Sequence, residues 1–141
     1  HIMVAPAVLA VLSNLGLRPL KPGRIASAIE RTRGIPLGSC GTRGECGAAS
    51  SVGALVSILT SATFMKDHER SLALESTAET LLAIAKAGGP RCCKQSVYIA
   101  LETASAFLKR ELAIDLPVDP DCEFAARNPD CKLERCQYYA V

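Results

Sequence analysis

The sequence predicts an all-α fold, a single-domain bundle of about five helices with an irregular cysteine-rich C-terminal tail. Three observations carry this expectation. The chain has 141 residues, the size of one domain, and its 49% hydrophobic content is enough for a core. Its apolar residues are mostly Ala, Leu, Ile and Val, with no Trp. That composition suits close-packed helices better than a sheet sandwich rich in aromatics. Apolar positions recur with the helical period in several stretches, and neither a strong strand pattern nor an internal repeat interrupts them. The expected bundle covers 1–116, and the tail, 117–141, packs on it as part of the same domain.

The elements follow in order. Val4 to Gly16 reads as a short helix with a glycine stop. In "KPGRIASAIERTRG", Pro22 suits a first turn, Ile25 and Ile29 lie on one face, and Gly34 follows the end. The glycine-rich "IPLGSCGTRGECG" reads as a loop. A long helix then begins near Glu45, with Ala48, Val52, Leu55, Val56 and Leu59 at helical spacing. Its other side carries Ser and Thr rather than charge, which predicts burial on most sides. Asp67 and His68 open the next helix, whose stripe is Leu74, Ala78, Leu81, Leu82 and Ala85. Gly88-Gly89-Pro90 ends it. The last long helix starts around Cys92. Cys93, Val97, Leu101, Ala104 and Leu108 form its buried face, and Glu102, Lys109, Arg110 and Glu111 are its solvated charges. Beyond Leu116 no period remains, so the tail needs an anchor, for which its cysteines are the first candidates.

Charge excludes some functions. Sixteen basic and fourteen acidic residues leave +2, too little to argue for nucleic acid or an anionic membrane as partner. The apolar run "VAPAVLAVL" is too short to span a bilayer and too poorly flanked for a signal peptide.

Seven cysteines are many for this length. One reading is a secreted disulfide protein. The absence of an export signal, the odd count and a core that needs no staples weigh against it. The favoured reading is a cytoplasmic protein whose thiols bind metal or do redox work. The cysteines fall in three groups: Cys40 and Cys46; Cys92 and Cys93; Cys122, Cys131 and Cys136. Cys46 and the Cys92–Cys93 pair stand at expected helix N-termini, where free N–H groups and the dipole stabilise a thiolate. Arg43, Arg91 and Lys94 add positive charge. Gly41, Gly44 and Gly47 let the backbone approach a compact inorganic group, with Arg91 beside it, so these four are the candidate cofactor-binding residues.

The spacing matches no zinc finger and no ferredoxin run, and the two histidines are not paired as ligands. All seven cysteines are therefore candidate ligands of one site assembled from distant segments. The bland alternative is that Cys46 and Cys93, on apolar stripes, are small core residues. A disulfide between Cys92 and Cys93 would be strained and labile. His68 reads as a capping or surface residue. Asp119/Asp121 and Glu75/Glu79 read as solvated charge. "GTRGECG" lacks the ending and preceding strand of a phosphate loop. If one site exists, the Cys92–Cys93 pair sits at a helix N-terminus, close to the Cys40–Cys46 loop and to at least one tail cysteine. Any disulfide-bonded pair would need Cα atoms within about 7 Å.

The segments "IPLGSCGTRGECGAASSVGALVSILTSAT", "GGPRCCKQSVYIALETASAFLK" and "CEFAARNPDCKLERCQYY" resemble an uncharacterised cysteine-rich domain family of anaerobic archaea and bacteria, catalogued only as a domain of unknown function. "HIMVAPAVLAVLSNLG" looks like the start of that domain, so the resemblance covers nearly the whole chain. Gly-x-Cys-Gly-Ala and Pro-Arg-Cys-Cys-Lys are its most specific motifs. The resemblance implies that all seven cysteines take part in the pattern, without assigning roles. It also implies an upstream cysteine-rich or methyltransferase-like domain as a partner. His1-Ile2-Met3 reads either as native sequence or as a remnant of preparation. "GECGAASS" is more loosely similar to a family, proposed to be redox-active, named for its Cys and Gly-Cys-Ala pattern.

Three functions are consistent with these residues. The first is a domain binding an iron–sulfur cluster or zinc through thiolates, with a redox or sulfur-related role. The second is an enzyme of thiol/disulfide exchange or sulfur transfer, with Cys92 as nucleophile and Cys93 or a tail cysteine resolving the intermediate. The third is a non-catalytic interaction module whose disulfides or zinc are structural. The sequence does not fix the oligomeric state.

Overall fold

The computed structural model describes residues 1–140 and is all-α, with no strand among them. Six helices follow in order: α1 Val4–Asn14, α2 Arg24–Arg33, α3 Ser39–Thr42, α4 Gly47–Thr60, α5 Asp67–Ala87 and α6 Cys93–Leu112. Five are long and one, α3, is a single turn inside the segment expected to be a loop. That turn forms because the left-handed Gly38 (φ 83°) redirects the chain and the Glu45 N–H closes back on the Ser39 carbonyl at 3.2 Å.

α4 lies at the centre and packs against α1, α2, α5 and α6. Its expected stripe, Ala48, Val52, Leu55, Val56 and Leu59, is buried. Most of it joins Val4, Val8, Leu9 and Leu12 of α1 and Ala104 and Leu108 of α6 in one core. Ser51, fully buried on α4, accepts the Ala5 N–H at 2.8 Å, so a hydroxyl of one helix caps the start of another.

The inner faces of α2, α5 and α6 depart from the expected stripes. On α2, Ala28 and Thr32 are buried and Ile25 is exposed, while Pro22 precedes the helix instead of occupying its first turn. On α5 the buried residues are Leu72, Ser76 and Thr80, whereas Leu74 and Leu82 are each 55% exposed. Small residues win here because α4 and α5 approach closely: a Cβ on Gly53 would lie 2.0 Å from Thr77 Oγ1. The buried hydroxyls satisfy themselves within the helix, Ser76 donating to the Ala73 carbonyl at 3.0 Å and Thr80 to the Ser76 carbonyl at 2.8 Å. On α6, Ile99, Ala100 and Phe107 join Ala104 and Leu108 inside, with Val97 and Leu101 at the margin. Glu102 is not a solvated charge: it accepts hydrogen bonds from the Tyr138 hydroxyl and from Gln137.

The tail turns back along α6. Ile114 and Leu116 extend the core, and two single 3-10 turns follow, Ala125–Arg127 and Leu133–Arg135. Its main anchors are not cysteines. Tyr138 is buried edge-on against Tyr98, with ring centroids 5.2 Å apart. Lys132, only 8% exposed, donates to the Ala87 and Gly88 carbonyls at 2.8 and 2.9 Å and so caps the end of α5.

Candidate functional site

Two cavities meet at the start of α6. The larger, of about 340 Å³, lies between the α3 segment, the start of α4, the end of α5 and the Gly88–Pro90 turn. Cys40, Cys46, Cys92 and Cys93 line it. The smaller, of about 20 Å³, lies between α6 and the tail and is lined by Cys92, Cys122, Cys131 and Cys136. Cys92 and Gln95 belong to both walls. The three cysteine groups of the sequence thus become two sets that share Cys92.

Local geometry explains the placement. Cys46 and Cys92 are both extended N-cap residues, of α4 and α6; the Cys92 thiol turns to the end of its helix, whereas Cys46 makes no cap hydrogen bond and packs against the core. Cys92 Sγ accepts from the Gln95 N–H at 3.5 Å and from the Asn128 amide at 3.7 Å. Cys131 Sγ accepts the Leu133 N–H at 3.4 Å, an approach made by Leu133 in a left-handed conformation (φ 52°) that bulky residues rarely adopt. Tyr98 lies beside Cys122 on the wall of the smaller cavity, and burial followed by that neighbour raises its hydroxyl pKa. N–H donors aimed at sulfur offset negative charge there.

All seven cysteines are unpaired, Cys92 and Cys93 included. Among the described residues no three Cys, His, Asp or Glu side chains converge closely enough to hold an ion in the recorded rotamers. Of the four candidate cofactor-binding residues, Gly41, Gly47 and Arg91 line the larger cavity and Gly44 does not. Gly44 instead supplies a left-handed turn (φ 68°). Gly47 is covered by His1, whose ring carbon would lie 2.0 Å from an added Cβ. Two expected positive charges are engaged elsewhere: Arg43 pairs with Glu45 at 2.9 Å, and Lys94 sits 4.7 Å above the Phe124 ring.

Sequence reasoning missed Gln95, Asn128, Tyr98 and Lys132. Gln95 is 7% exposed, and it is its backbone N–H that reaches Cys92. Nothing in the local sequence marks Asn128, Tyr98 or Lys132, since each acquires its role from where the tail runs, whereas Gln95 could have been found three residues after the expected helix start at Cys92.

Fold and site together define a helical domain with a cysteine-rich end. The chain belongs to the family of unknown function DUF5714, which matches residues 1–139. No curated protein and no solved structure matches it. No helix among the described residues is long and apolar enough to cross a membrane.

Proposed function

We propose that the protein is a thiolate-based metal-binding domain with a redox or sulfur-related role, carrying zinc or an iron–sulfur cluster. The observation that supports this best is the shared wall at Cys92, which joins all seven unpaired thiols to two adjoining cavities. Isolated thiolates are costly to enclose, so a set of this size with N–H donors directed at its sulfurs suits a bound soft cation. Each sulfur can move among staggered wells of a single side-chain torsion while its backbone stays fixed, so the recorded rotamers do not preclude gathering around an ion. A cytoplasmic setting, in which thiols stay reduced, fits this chemistry. So does the resemblance to proteins of anaerobes. An upstream cysteine-rich or methyltransferase-like domain is the partner the reading suggests.

The test is elemental and sulfide analysis of protein purified without oxygen or chelator. Iron with labile sulfide, or zinc, at about one site per chain supports the reading. Protein that is folded and free of all three contradicts it.

A second reading has its own observation. Cys92 and Cys93 open onto the larger cavity, which is large enough for a small substrate. Direct thiol/disulfide chemistry with Cys92 as nucleophile would use that access. Rate-resolved alkylation separates the two readings: metal ligation protects Cys92 until the ion is removed, whereas a free nucleophile reacts from the start.

A further inference from the structure

We infer that the seven cysteines divide their work, and that Cys92, Cys122, Cys131 and Cys136 form a single-ion site for a soft divalent cation of the zinc type. The inference rests on the metal-binding reading above and narrows it to one cavity and one class of ion.

Size is the first argument. The free space of the pocket that these four residues line is about 20 Å³. A volume of roughly 10–15 Å³ already accommodates one water-sized sphere. A gap that small suits one ion better than a multi-atom cluster. The larger cavity has about 340 Å³ and imposes no such limit.

Chemistry is the second. Four thiols and no carboxylate line the small pocket, and the rest of its wall is aromatic residues with Ala125, two amides and the side chains of Lys94 and Lys132. A set of four sulfurs in dry surroundings selects zinc or a similar soft ion over magnesium or calcium, which require oxygen ligands.

The donors behind the sulfurs are the third. Gln95 N–H and the Asn128 amide point at Cys92, and the Leu133 N–H points at Cys131. Two of the four sulfurs thus have a partner of the kind that orients a metal ligand and offsets its charge. The left-handed Leu133 is consistent with this, since a strained backbone is retained where its surroundings over-determine it.

The site would join the start of α6 to three points of the tail. Cys40, Cys46 and Cys93 are then left facing the larger cavity, free of this ion.

Cobalt(II) titration of the full chain, prepared metal-free under reducing conditions, tests the assignment. One cobalt per chain should bind, with the visible bands of tetrahedral thiolate coordination. Ser at Cys92, Cys122, Cys131 or Cys136 should weaken uptake at least about 10-fold, the low end of what a mere supporting partner costs. Ser at Cys40, Cys46 or Cys93 should leave the spectrum unchanged. Cys136→His provides a readout if serine variants misfold: it should keep the 1:1 stoichiometry and lose sulfur-to-cobalt intensity. Cobalt bands that respond to Cys40→Ser and Cys46→Ser but not to the tail variants would overturn the division and leave metal binding intact. Absence of any cobalt uptake by folded protein, with none of iron, sulfide or zinc in the protein as isolated, would remove both.

Discussion

The ammonium of Lys132 donates to the carbonyl of Gly88 at 2.9 Å, across 44 residues of sequence. The contact ties the cysteine-rich tail to the end of α5, beside the turn that leads into Cys92. Gly89 makes room for it: with φ 83° and a Cβ position 2.2 Å from Lys132 Cδ, a larger residue would be strained and would push the Lys132 side chain aside.

Lys132→Met should therefore cost about 1–3 kcal/mol, the penalty for leaving carbonyls without their donor. Gly89→Ala should loosen the same contact by steric means and add strain at a left-handed position. Denaturant melts would measure the loss. Limited proteolysis should cut within the tail of both variants before cutting the bundle. Wild-type resistance in both would show that the tail is held without Lys132.

Gly53→Ala should destabilise the bundle by about 1–3 kcal/mol, because its methyl group would meet Thr77 Oγ1 at 2.0 Å and the Ala73 carbonyl at 3.1 Å. Adding Thr77→Ala should recover part of the loss and leave the backbone conflict. A double-mutant cycle would show the coupling, and strict additivity would contradict close α4–α5 packing at this point.

These two contacts also show what the sequence did and did not disclose. The α4 stripe was legible because Ala48, Val52, Leu55, Val56 and Leu59 are apolar at helical spacing and all point inward. The α5 face was misread because its inner residues Ser76 and Thr80 carry no hydrophobic signal, while Leu74 and Leu82 carry a strong one and stand outside. The tail's dependence on Lys132 and Tyr138 was hidden because both act on residues far away in sequence. At the site, residue type revealed the cysteines and helix-end placement revealed Cys46 and Cys92. The partition into two sets depends on the path of the tail, which follows no period.

Tyr138 gives a pH signature. Burial, followed by its bond to Glu102, raises its hydroxyl pKa above the ordinary tyrosine value. The native state thus keeps a proton that the unfolded chain releases near pH 10, as model tyrosine does. Stability from this group is complete below that pH and is lost as pH rises toward the folded value. Melting midpoints of wild type should fall more steeply above about pH 10 than those of Tyr138→Phe. Parallel curves would contradict this.

Ala113 ends α6 in a left-handed conformation (φ 53°). Ala113→Gly should raise stability by up to about 1 kcal/mol, since relief of the left-handed strain exceeds the added freedom of the unfolded chain. A lowered unfolding midpoint would argue against that conformation.

Cys92 is the residue on which the account turns, since it alone among the cysteines lines both cavities. The most direct measurement is the metal content of Cys92→Ser beside wild type, both made without oxygen, with helicity followed by circular dichroism. The account predicts metal in the wild type and its loss in a variant that remains helical. A variant that keeps the wild-type metal content, or a wild type that holds none, would contradict it.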